Sequence, residues 1–494
     1  MDYEAVIGLE THVQLKTKSK MWCGCANAFG APPNTNVCPV CLGLPGVLPV
    51  ANEEALRLTV LTGFLLNCEI PSRAKFDRKN YFYPDMPKNY QITQYDQPST
   101  TNGYVEFEFN GGISRVRITR AHLEEDVGKS FHFERNSGVD FNRAGVPLME
   151  IVSEPDITSP DMAYEYLNAL VEILRYGKIS DCDMEKGMVR CDVNVSVRPK
   201  GTKELGAKIE IKNMNSFSGV RRALEYEIQR QIEVLKQGGK LIQSTRRWDD
   251  AAGVTEEMRT KEHAHDYRYF PEPDLMPFEP TEKWLAEVKA AAEKIRPTLP
   301  LNAKNHFWSI YGSAADNPPK FPISDYDAAA LAAHPPSGSL FQREVRFDPD
   351  YAKPIVNFIL NNLKAEISAS GLSPEQVDYS KLKIPPSGIA KLAVEQSSSH
   401  VSSASAQVIF HDMYVFGKFP EEIIKDKGLA QVSDAGAIEK FCDEAIAANP
   451  GPANDFKSGK HAALNFLKGR VMKLSKGKAN PALVGEILER KLKS

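Results

Sequence analysis

Three short acidic segments in strand-like contexts carry the residues best suited to chemistry: GLETHVQL at 8–15, ITRAHLEEDVGK at 118–129 and FNRAGVPLMEIVSEPD at 141–156. Residues two apart in an extended backbone point the same way, so Glu10 and His12 share one face. Glu150 interrupts an apolar run, where a carboxylate facing a dry core needs a partner or a metal ion. Carboxylates from separate segments, with one imidazole, suit a divalent cation that grips nucleotide phosphates. Together the three segments predict a Mg–ATP site.

Four of the eight cysteines form a second candidate site. Cys23 and Cys25 are followed, after twelve residues, by Cys38 and Cys41. Two close pairs separated by a short loop are typical of a tetrahedral structural zinc, which predicts a knuckle at 22–42. The alternative is four reduced, partly buried thiols. The remaining cysteines, at positions 68, 182, 191 and 442, are expected to be small core residues, since eight cysteines in so long a chain make no disulfide framework.

The bulk composition indicates an ordinary globular protein with more than one domain. The chain has 494 residues, of which 42% are hydrophobic and 25% charged, and this length exceeds what a single core usually fills. No apolar run is long enough to span a bilayer, and the N-terminal sequence MDYEAVIGLE has neither a basic region nor an apolar leader core. We therefore expect a cytoplasmic protein, or one whose leader has been removed, with no membrane partner.

The pattern of elements predicts an α+β fold. Residues 1–290 mix alternating strand-like segments with long amphipathic ones, and strands and helices do not alternate regularly. Helices are predicted after Ser159-Pro160, with a stop near Gly177, and after Ser216 or Ser218. In the segment RCDVNVSVR at 190–198, Asp192 and Asn194 lie on a face opposite the valines. That polar face either lines a cleft or belongs to an ordinary half-exposed strand.

From about residue 296 to the end, the composition of the sequence differs from that of the preceding part. Frequent prolines between 296 and 350 predict a linker or a loosely helical region, and helical segments follow to the end of the chain. From residue 456 onward ten Lys or Arg face only two acids, Glu486 and Glu489. This bias indicates either a polyanionic partner or a solvated helical surface. The basic residues Lys468, Arg470, Lys473, Lys476 and Lys478 accompany an apolar stripe that includes Phe466, Leu467 and Val471.

Longer blocks of the sequence resemble a known family, the B subunits of the glutamyl/aspartyl-tRNA amidotransferase. The blocks are FDRKNYFYPDMPKNYQITQYDQP at 76–98, VDFNRAGVPLMEIVSEPD at 139–156, KIEIKNMNSF at 208–217, DYRYFPEPDL at 266–275 and ALNFLKGRVMKLSKGKANPALV at 463–484. Between Pro300 and Ser403 only fragments match, which leaves the packing of the middle helical region open.

The resemblance implies a domain plan and a reaction. Residues 1–295 are expected to form a mixed-sheet cradle similar in fold to glutamine synthetase and guanidino kinases, 296–407 a linker and helical domain, and 408–494 an all-helical tRNA-binding tail. The implied enzyme is a glutamine-hydrolysing, ATP-dependent tRNA amidotransferase. It phosphorylates the side-chain carboxylate of Glu-tRNA(Gln) or Asp-tRNA(Asn) and amidates it. The partners implied are the amidase A subunit, which releases ammonia from glutamine, and the small C subunit, in a heterotrimer.

The resemblance also implies roles for individual residues. The expected catalytic and magnesium-binding residues are Glu10, His12, Glu125 and Glu150, with Glu124 as the alternate to Glu125. Only one of that pair can face the cation, because adjacent strand residues point oppositely. His12 is either a metal ligand or, as imidazolium, a phosphate contact. The residues expected to bind the ATP cofactor around the cleft are Glu124, Lys79, Asp192, Asn194, Glu210 and Lys212.

Two other classes of protein are compatible with parts of the sequence. A zinc-knuckle RNA-binding adaptor without chemistry of its own would explain the basic tail and the four cysteines. It would have no use for Glu150 or for the Glu10–His12 pair. A self-sufficient glutamine hydrolase is disfavoured, because the sequence contains neither an amidase-type Gly/Ser-rich nucleophile segment nor a plausible Cys/His glutaminase pair.

Overall fold

The computed structural model describes residues 2–260, 267–431, 435–475 and 479–493. The chain divides into two compact units, Met1–Leu299 and Pro300–Ser494. A large mixed sheet dominates the first unit and helices make up the second, which confirms the α+β class. No helix among the described residues is long and apolar enough to cross a membrane.

Thirteen strands are described, all in the first unit. They are β1 (Tyr3–Gln14), β2 (Asp77–Asn80), β3 (Tyr90–Thr93), β4 (Thr100–Phe109), β5 (Gly112–Glu125), β6 (Lys129–His132), β7 (Ser137–Asp140), β8 (Pro147–Ser153), β9 (Val189–Pro199), β10 (Ile209–Lys212), β11 (Ser244–Asp249), β12 (Val254–Thr260) and β13 (Phe270–Pro271). Eleven form one sheet in the order β12-β11-β10-β9-β1-β8-β5-β3-β2-β13, with β4 paired to β5, and β6 and β7 form a separate hairpin. All pairs are antiparallel except β10–β11.

The alternation of side chains divides the sheet into an apolar and a polar face. On β1, Ile7, Leu9 and Val13 are buried in the main core. The intervening Glu10 and His12 point to the other face, as the sequence pattern requires. Strand register then fixes their neighbours. His12 pairs with Glu150 on β8, Glu10 pairs with Asp192 on β9, and His122 on β5 also pairs with Glu150.

The helices of the first unit are α1 (Glu53–Leu65), α2 (Pro160–Tyr176), α3 (Phe217–Lys236) and α4 (Glu282–Ile295). Their apolar residues join the strand residues in a single core. Ser159 caps α2 by accepting a hydrogen bond from Met162 N, and Pro160 occupies the first turn, as predicted. Ser216, of the two serines considered, caps α3 by accepting from Gly219 N.

Helices are the main regular elements among the described residues of the second unit, with isolated β-bridges at Gly312–Ile323 and Val401–Ala430. Its α-helices are α5 (Pro300–Tyr311), α6 (Asp325–Ala333), α7 (Pro335–Val345), α8 (Ala352–Asn357), α9 (Lys364–Ala369), α10 (Gly388–Ser397), α11 (Ser403–Phe416), α12 (Pro420–Lys427), α13 (Ala435–Ala448), α14 (Pro450–Lys457), α15 (Ala462–Leu474) and α16 (Pro481–Lys493). A π-helical turn, Phe358–Leu363, joins α8 to α9. The proline-rich stretch is partly helical. Pro300 and Pro335 lie at the starts of α5 and α7, whereas Pro318, Pro319 and Pro322 lie in the non-helical segment between α5 and α6.

Two apolar cores support the second unit. One spans Phe307 to Ile423 and the other Ile438 to Leu492. The three-part domain plan, with borders at 295/296 and 407/408, remains a prediction, and its second border lies inside α11. In the tail, Leu467 and Val471 are fully buried as expected, whereas Phe466 is 45% exposed. The guanidinium carbon of Arg470 lies 5.0 Å from the centre of the Phe466 ring.

Candidate functional site

Three neighbouring strands bring one imidazole and two carboxylates together on the polar face of the sheet. His12 Nε2 lies 3.7 Å from Glu124 Oε1 and 3.5 Å from Glu150 Oε2. One potential ligand atom from each of the three residues lies within 4.8 Å of the others. The residues come from β1, β5 and β8, so their separation is set by strand register rather than by a flexible loop. We call these three residues the acidic cluster.

Glu124 and Glu125 face opposite sides of β5. Glu124 belongs to the acidic cluster, and Thr93 Oγ1 on β3 lies 3.4 Å from its Oε2. The structure does not bring Glu125, the first choice from the sequence, to the cluster. Its carboxylate accepts two hydrogen bonds of 2.5 Å from Lys88 Nζ and one of 3.0 Å from Ile92 N. The physical reason is the two-residue period of the strand, whose phase places the first glutamate of the pair on the face of His12.

The charges in the acidic cluster oppose and compensate one another. Burial and the like charge of Glu150 raise the pKa of Glu124. Burial opposes ionisation of Glu150 as well, but the adjacent imidazoles and Lys79 hold its pKa well below the ordinary value. Burial disfavours a charged His12, yet the hydrogen bond and charge of Glu150, with those of Glu124 and Asp192, raise its pKa to about 9. His12 is therefore an imidazolium at neutral pH in the protein alone.

The second-rank residues predicted from the sequence lie beside the cluster on the same face. Asn194 Nδ2 donates to Glu10 Oε1 at 2.8 Å. Lys212 Nζ donates to Asp192 Oδ2 at 2.6 Å and lies 3.3 Å from Glu210 Oε1. Strands β1, β9 and β10 thus carry a hydrogen-bonded polar patch, in which Asp192 and Asn194 are half-buried. That this patch lines a cleft stays a prediction. Glu10 is part of this patch and is not among the three cluster residues.

Lys79 on β2 also acts on the cluster. Although burial opposes its charge, Glu124, Tyr269 and Glu150 raise the pKa of its ammonium. The Nζ atom lies 5.0 Å from the centre of the Tyr267 ring, a distance at which an ammonium is attracted to an aromatic face. Lys79 is therefore a cation held near the two carboxylates without direct pairing to either.

His122 is a residue of the site that the sequence reasoning missed. It is buried, its Nε2 lies 3.5 Å from Glu150 Oε2, and its Nδ1 is buried without a hydrogen-bond partner among the described residues. Burial, opposed by Glu150, lowers its pKa to about 4, so the ring is neutral at neutral pH. The available signal was its position two residues before Glu124, which puts it on the same strand face.

The four cysteines of the predicted knuckle converge on a point. Cys41 Sγ lies 3.4 Å from Cys23 Sγ, 3.6 Å from Cys38 Sγ and 3.7 Å from Cys25 Sγ. Tetrahedral zinc with Zn–S bonds of about 2.3 Å separates its thiolates by roughly 3.8 Å. The donor set and its spacing therefore fit a structural zinc or a similar thiolate-bound metal. The other four cysteines are buried, as expected of core residues.

The surroundings of the knuckle favour a thiolate at Cys41, whereas the hydrogen bond with Cys41 raises the pKa of Cys23 and burial raises the pKa of Cys25. Lys20 is fully buried and its Nζ lies 3.5 Å from Cys41 Sγ. A hydrogen bond from Cys23, aided by the charge of Lys20, lowers the pKa of Cys41 to about 4. Asn36 N donates to Asn142 Oδ1 at 2.8 Å, which ties the knuckle loop to the segment after β7. A metal at this point would lock the loop against the sheet domain.

Comparison with known proteins gives full-length matches. Residues 5–286 match the family model of the GatB/GatE catalytic domain, and residues 339–492 match that of the GatB domain. The B subunit of the aspartyl/glutamyl-tRNA(Asn/Gln) amidotransferase of Methylacidiphilum infernorum is 50% identical, over 100% of this chain and 99% of the relative. The B subunits of the same name from a Thermoanaerobacter species and from Carboxydothermus hydrogenoformans are each 47% identical. The first match covers 100% of both chains and the second 99% of both.

We predict that the purified protein contains about one zinc per chain, bound by the four converging cysteines. Cys38→Ser should lower the metal content and the thermal stability together, because metal binding contributes to folding of such loops. Cys442→Ser, which alters a buried thiol of the tail, is the control and should retain the metal. Elemental analysis of the three proteins is the measurement. Metal-free wild type would contradict the assignment.

We predict that glutamine substitutions of the adjacent residues Glu124 and Glu125 change the free energy of unfolding by different amounts. Glu125→Gln leaves the buried Lys88 ammonium without its counter-charge and should cost about 3 kcal/mol of unfolding free energy. Glu124→Gln removes a carboxylate whose ionisation the fold disfavours, so stability should be unchanged or slightly higher. Urea unfolding followed by tryptophan fluorescence compares the two variants directly. If the Glu124→Gln variant is less stable than the Glu125→Gln variant, the assignment of Glu124 to the acidic cluster and of Glu125 to the pair with Lys88 is contradicted.

Proposed function

The chain belongs to the family of aspartyl/glutamyl-tRNA(Asn/Gln) amidotransferase B subunits, and on that premise we propose that it carries the ATP-dependent step of tRNA amidation. The substrate is a misacylated Glu-tRNA(Gln), Asp-tRNA(Asn), or both. The γ-phosphoryl group of ATP passes to an oxygen of the side-chain carboxylate, and ADP leaves. Ammonia then attacks the carbonyl carbon, phosphate leaves with that oxygen, and an amide remains.

The chemistry requires activation because a carboxylate has no good leaving group. Phosphorylation converts one carboxylate oxygen into the oxygen of a departing phosphate. Phosphoryl transfer itself depends mainly on positioning and charge neutralisation. The observation that carries the proposal is the acidic cluster, where His12, Glu124 and Glu150 converge from three rigid strands. A noncatalytic RNA-binding adaptor has no use for such an arrangement.

Within this proposal each residue of the polar face has a role. Glu124 and Glu150 would hold magnesium, which would supply charge neutralisation at the phosphates, and His12 would either join them as a ligand or contact a phosphate. Glu10 is oriented toward the cleft by Asn194. Asp192, Glu210 and Lys212 bind the nucleotide at the adjoining patch, and Lys79 supplies a cation near the transferred phosphoryl group. Glu125, paired with Lys88, supports β5 rather than touching the substrates.

The remaining parts of the proposal follow from the family. Residues 1–295 act as the catalytic cradle, similar in fold to glutamine synthetase and guanidino kinases, with a zinc knuckle at 22–42. Residues 296–407 form the helical domain and 408–494 the tRNA-binding tail. The chain works in the cytoplasm with the amidase A subunit, the source of ammonia from glutamine, and the small C subunit. The relatives are named as B subunits, which supports an enzyme of several different chains.

The tail offers a basic surface suited to an RNA backbone. Helix α15 carries Arg470 and Lys473 exposed and Lys468 partly buried, while Lys476 and Lys478, also predicted from the sequence, lie outside the described residues. Such residues bind phosphates and confer little sequence specificity on their own. The exposed Phe466 beneath Arg470 adds an aromatic surface to this patch.

We predict that Glu150→Gln abolishes ATP-dependent amidation, with a rate reduced at least about 100-fold, because a metal-bound carboxylate becomes a neutral amide. The assay measures phosphate release and amide formation in the presence of misacylated tRNA, glutamine and the partner amidase. Glu154→Gln, which alters a side chain hydrogen-bonded to Thr119 outside the acidic cluster, is the matched control. A Glu150→Gln enzyme of normal rate would contradict the assignment.

We predict that the triple variant Lys468→Gln, Arg470→Gln and Lys473→Gln binds tRNA more weakly and with a shallower dependence on salt. Each lost phosphate contact should lower the salt slope by about one unit. The matched control removes three exposed lysines of α4, at positions 283, 289 and 294, and should bind as wild type. Equal affinities of both triple variants at every salt concentration would refute a role for the tail.

A further inference from the structure

Arg120 on β5 is a cation of the polar face that neither the sequence reasoning nor the family comparison singled out. It lies two residues before His122 and four before Glu124, and its register opposite Val152 keeps it on the same face. Its Nη1 donates to Tyr95 O at 3.1 Å. Its Nε is buried and has no hydrogen-bond partner in the described part of the chain.

The guanidinium of Arg120 lacks an acidic partner among the described residues, unlike the side chains of Arg190, Lys212 and Lys88. No carboxylate oxygen of the described residues lies within 4 Å of it. By contrast, Arg190 lies 3.0 Å from Asp126, Lys212 lies 2.6 Å from Asp192, and Lys88 is bonded to Glu125. A partly buried guanidinium with an unpartnered N–H costs free energy. That cost is removed when a ligand supplies the missing anion.

Lys79 on β2 is a second cation of the polar face without an ion pair among the described residues. No ion pair within 4 Å involves it among the residues that the structure describes. Lys79 lies on β2 and Arg120 on β5 of the same sheet, and β3 lies between these two strands. Within the described ranges, the polar face therefore holds two positive charges without a paired acid beside the acidic cluster, on the side of β5 and β2.

An aromatic platform adjoins Arg120. The rings of Tyr95 and Tyr269 are stacked, with centroids 4.1 Å apart and planes inclined by 9°. The hydrogen bond from Arg120 to the Tyr95 carbonyl fixes the backbone of this platform. Tyr95 is 41% exposed, so one ring of the pair is open to solvent. Proteins that bind single-stranded nucleic acid combine positive charges with exposed aromatic rings on which bases stack.

We propose that Arg120 binds a phosphate group of a substrate next to the acidic cluster, with Lys79 as a second charge and the Tyr95–Tyr269 pair as a flanking surface. The inference rests on the proposed function and assigns one of its phosphate contacts. A guanidinium suits this role because its planar fork donates two parallel hydrogen bonds to a phosphate. The phosphate belongs either to the nucleoside triphosphate or to the 3′ end of the RNA, whose reacting aminoacyl group must reach the cluster.

The test compares Arg120→Gln and Arg120→Lys with wild type in two binding measurements on the full chain. One titrates ATPγS with magnesium, and the other titrates tRNA without nucleotide. Arg115→Gln is the matched control, since Arg115 lies on the same strand, exposed and paired with Glu106. We expect Arg120→Gln to lose at least about tenfold in one affinity, Arg120→Lys to lose less, and Arg115→Gln to bind as wild type.

The two titrations identify the source of the phosphate. A loss confined to ATPγS assigns Arg120 to the nucleotide, and a loss confined to tRNA assigns it to the RNA end. If Arg120→Gln does not fold, as judged by circular dichroism, Arg120→Lys decides alone. Wild-type affinity for both ligands in the folded variant overturns the inference. Failure of wild type to bind ATPγS would instead count against the proposed function, while a loss of tRNA affinity in Arg120→Gln would still support the phosphate contact.

Discussion

The two-residue period of the central strands is the constraint on which the site depends. Strands β1, β8 and β5 bury one face in the main core, so their register cannot slip without exposing that whole set of apolar residues. The same register places His12 and His122 opposite Glu150. Burial of the apolar face thus positions the acidic cluster.

The two carboxylates of the acidic cluster repel each other, and neighbouring positive charges offset this repulsion. Burial and the nearby charge of Glu150 raise the pKa of Glu124. The imidazolium of His12 and the nearby ammonium of Lys79 offset this charge. A divalent cation placed between the carboxylates would take over the role of the His12 proton. Such strain, held by a rigid sheet, is expected at a site whose natural state includes a bound cation.

Much of this organisation could be predicted from the sequence, and the omissions have physical causes. The Glu10–His12 spacing, the cysteine spacing and the caps Ser159 and Ser216 are local signals, so they needed no knowledge of tertiary contacts. The choice between Glu124 and Glu125 depends on the phase of β5, which is set by pairing with β8 and cannot be read from two adjacent identical residues. His122 and Arg120 were missed because their significance arises only from neighbours contributed by other strands. The sequence also does not decide which parts of 296–350 are helical, since prolines at helix starts and in linkers look alike in sequence.

The most direct test of the central claim is the binding of Mn²⁺, as a paramagnetic substitute for magnesium, measured by electron paramagnetic resonance in the presence of ATP. The account places the cation between Glu124 and Glu150. It predicts that Glu124→Gln weakens Mn²⁺ binding by at least about tenfold, whereas folded Glu125→Gln binds it as wild type. Unchanged binding by Glu124→Gln, with loss in Glu125→Gln, would contradict the account.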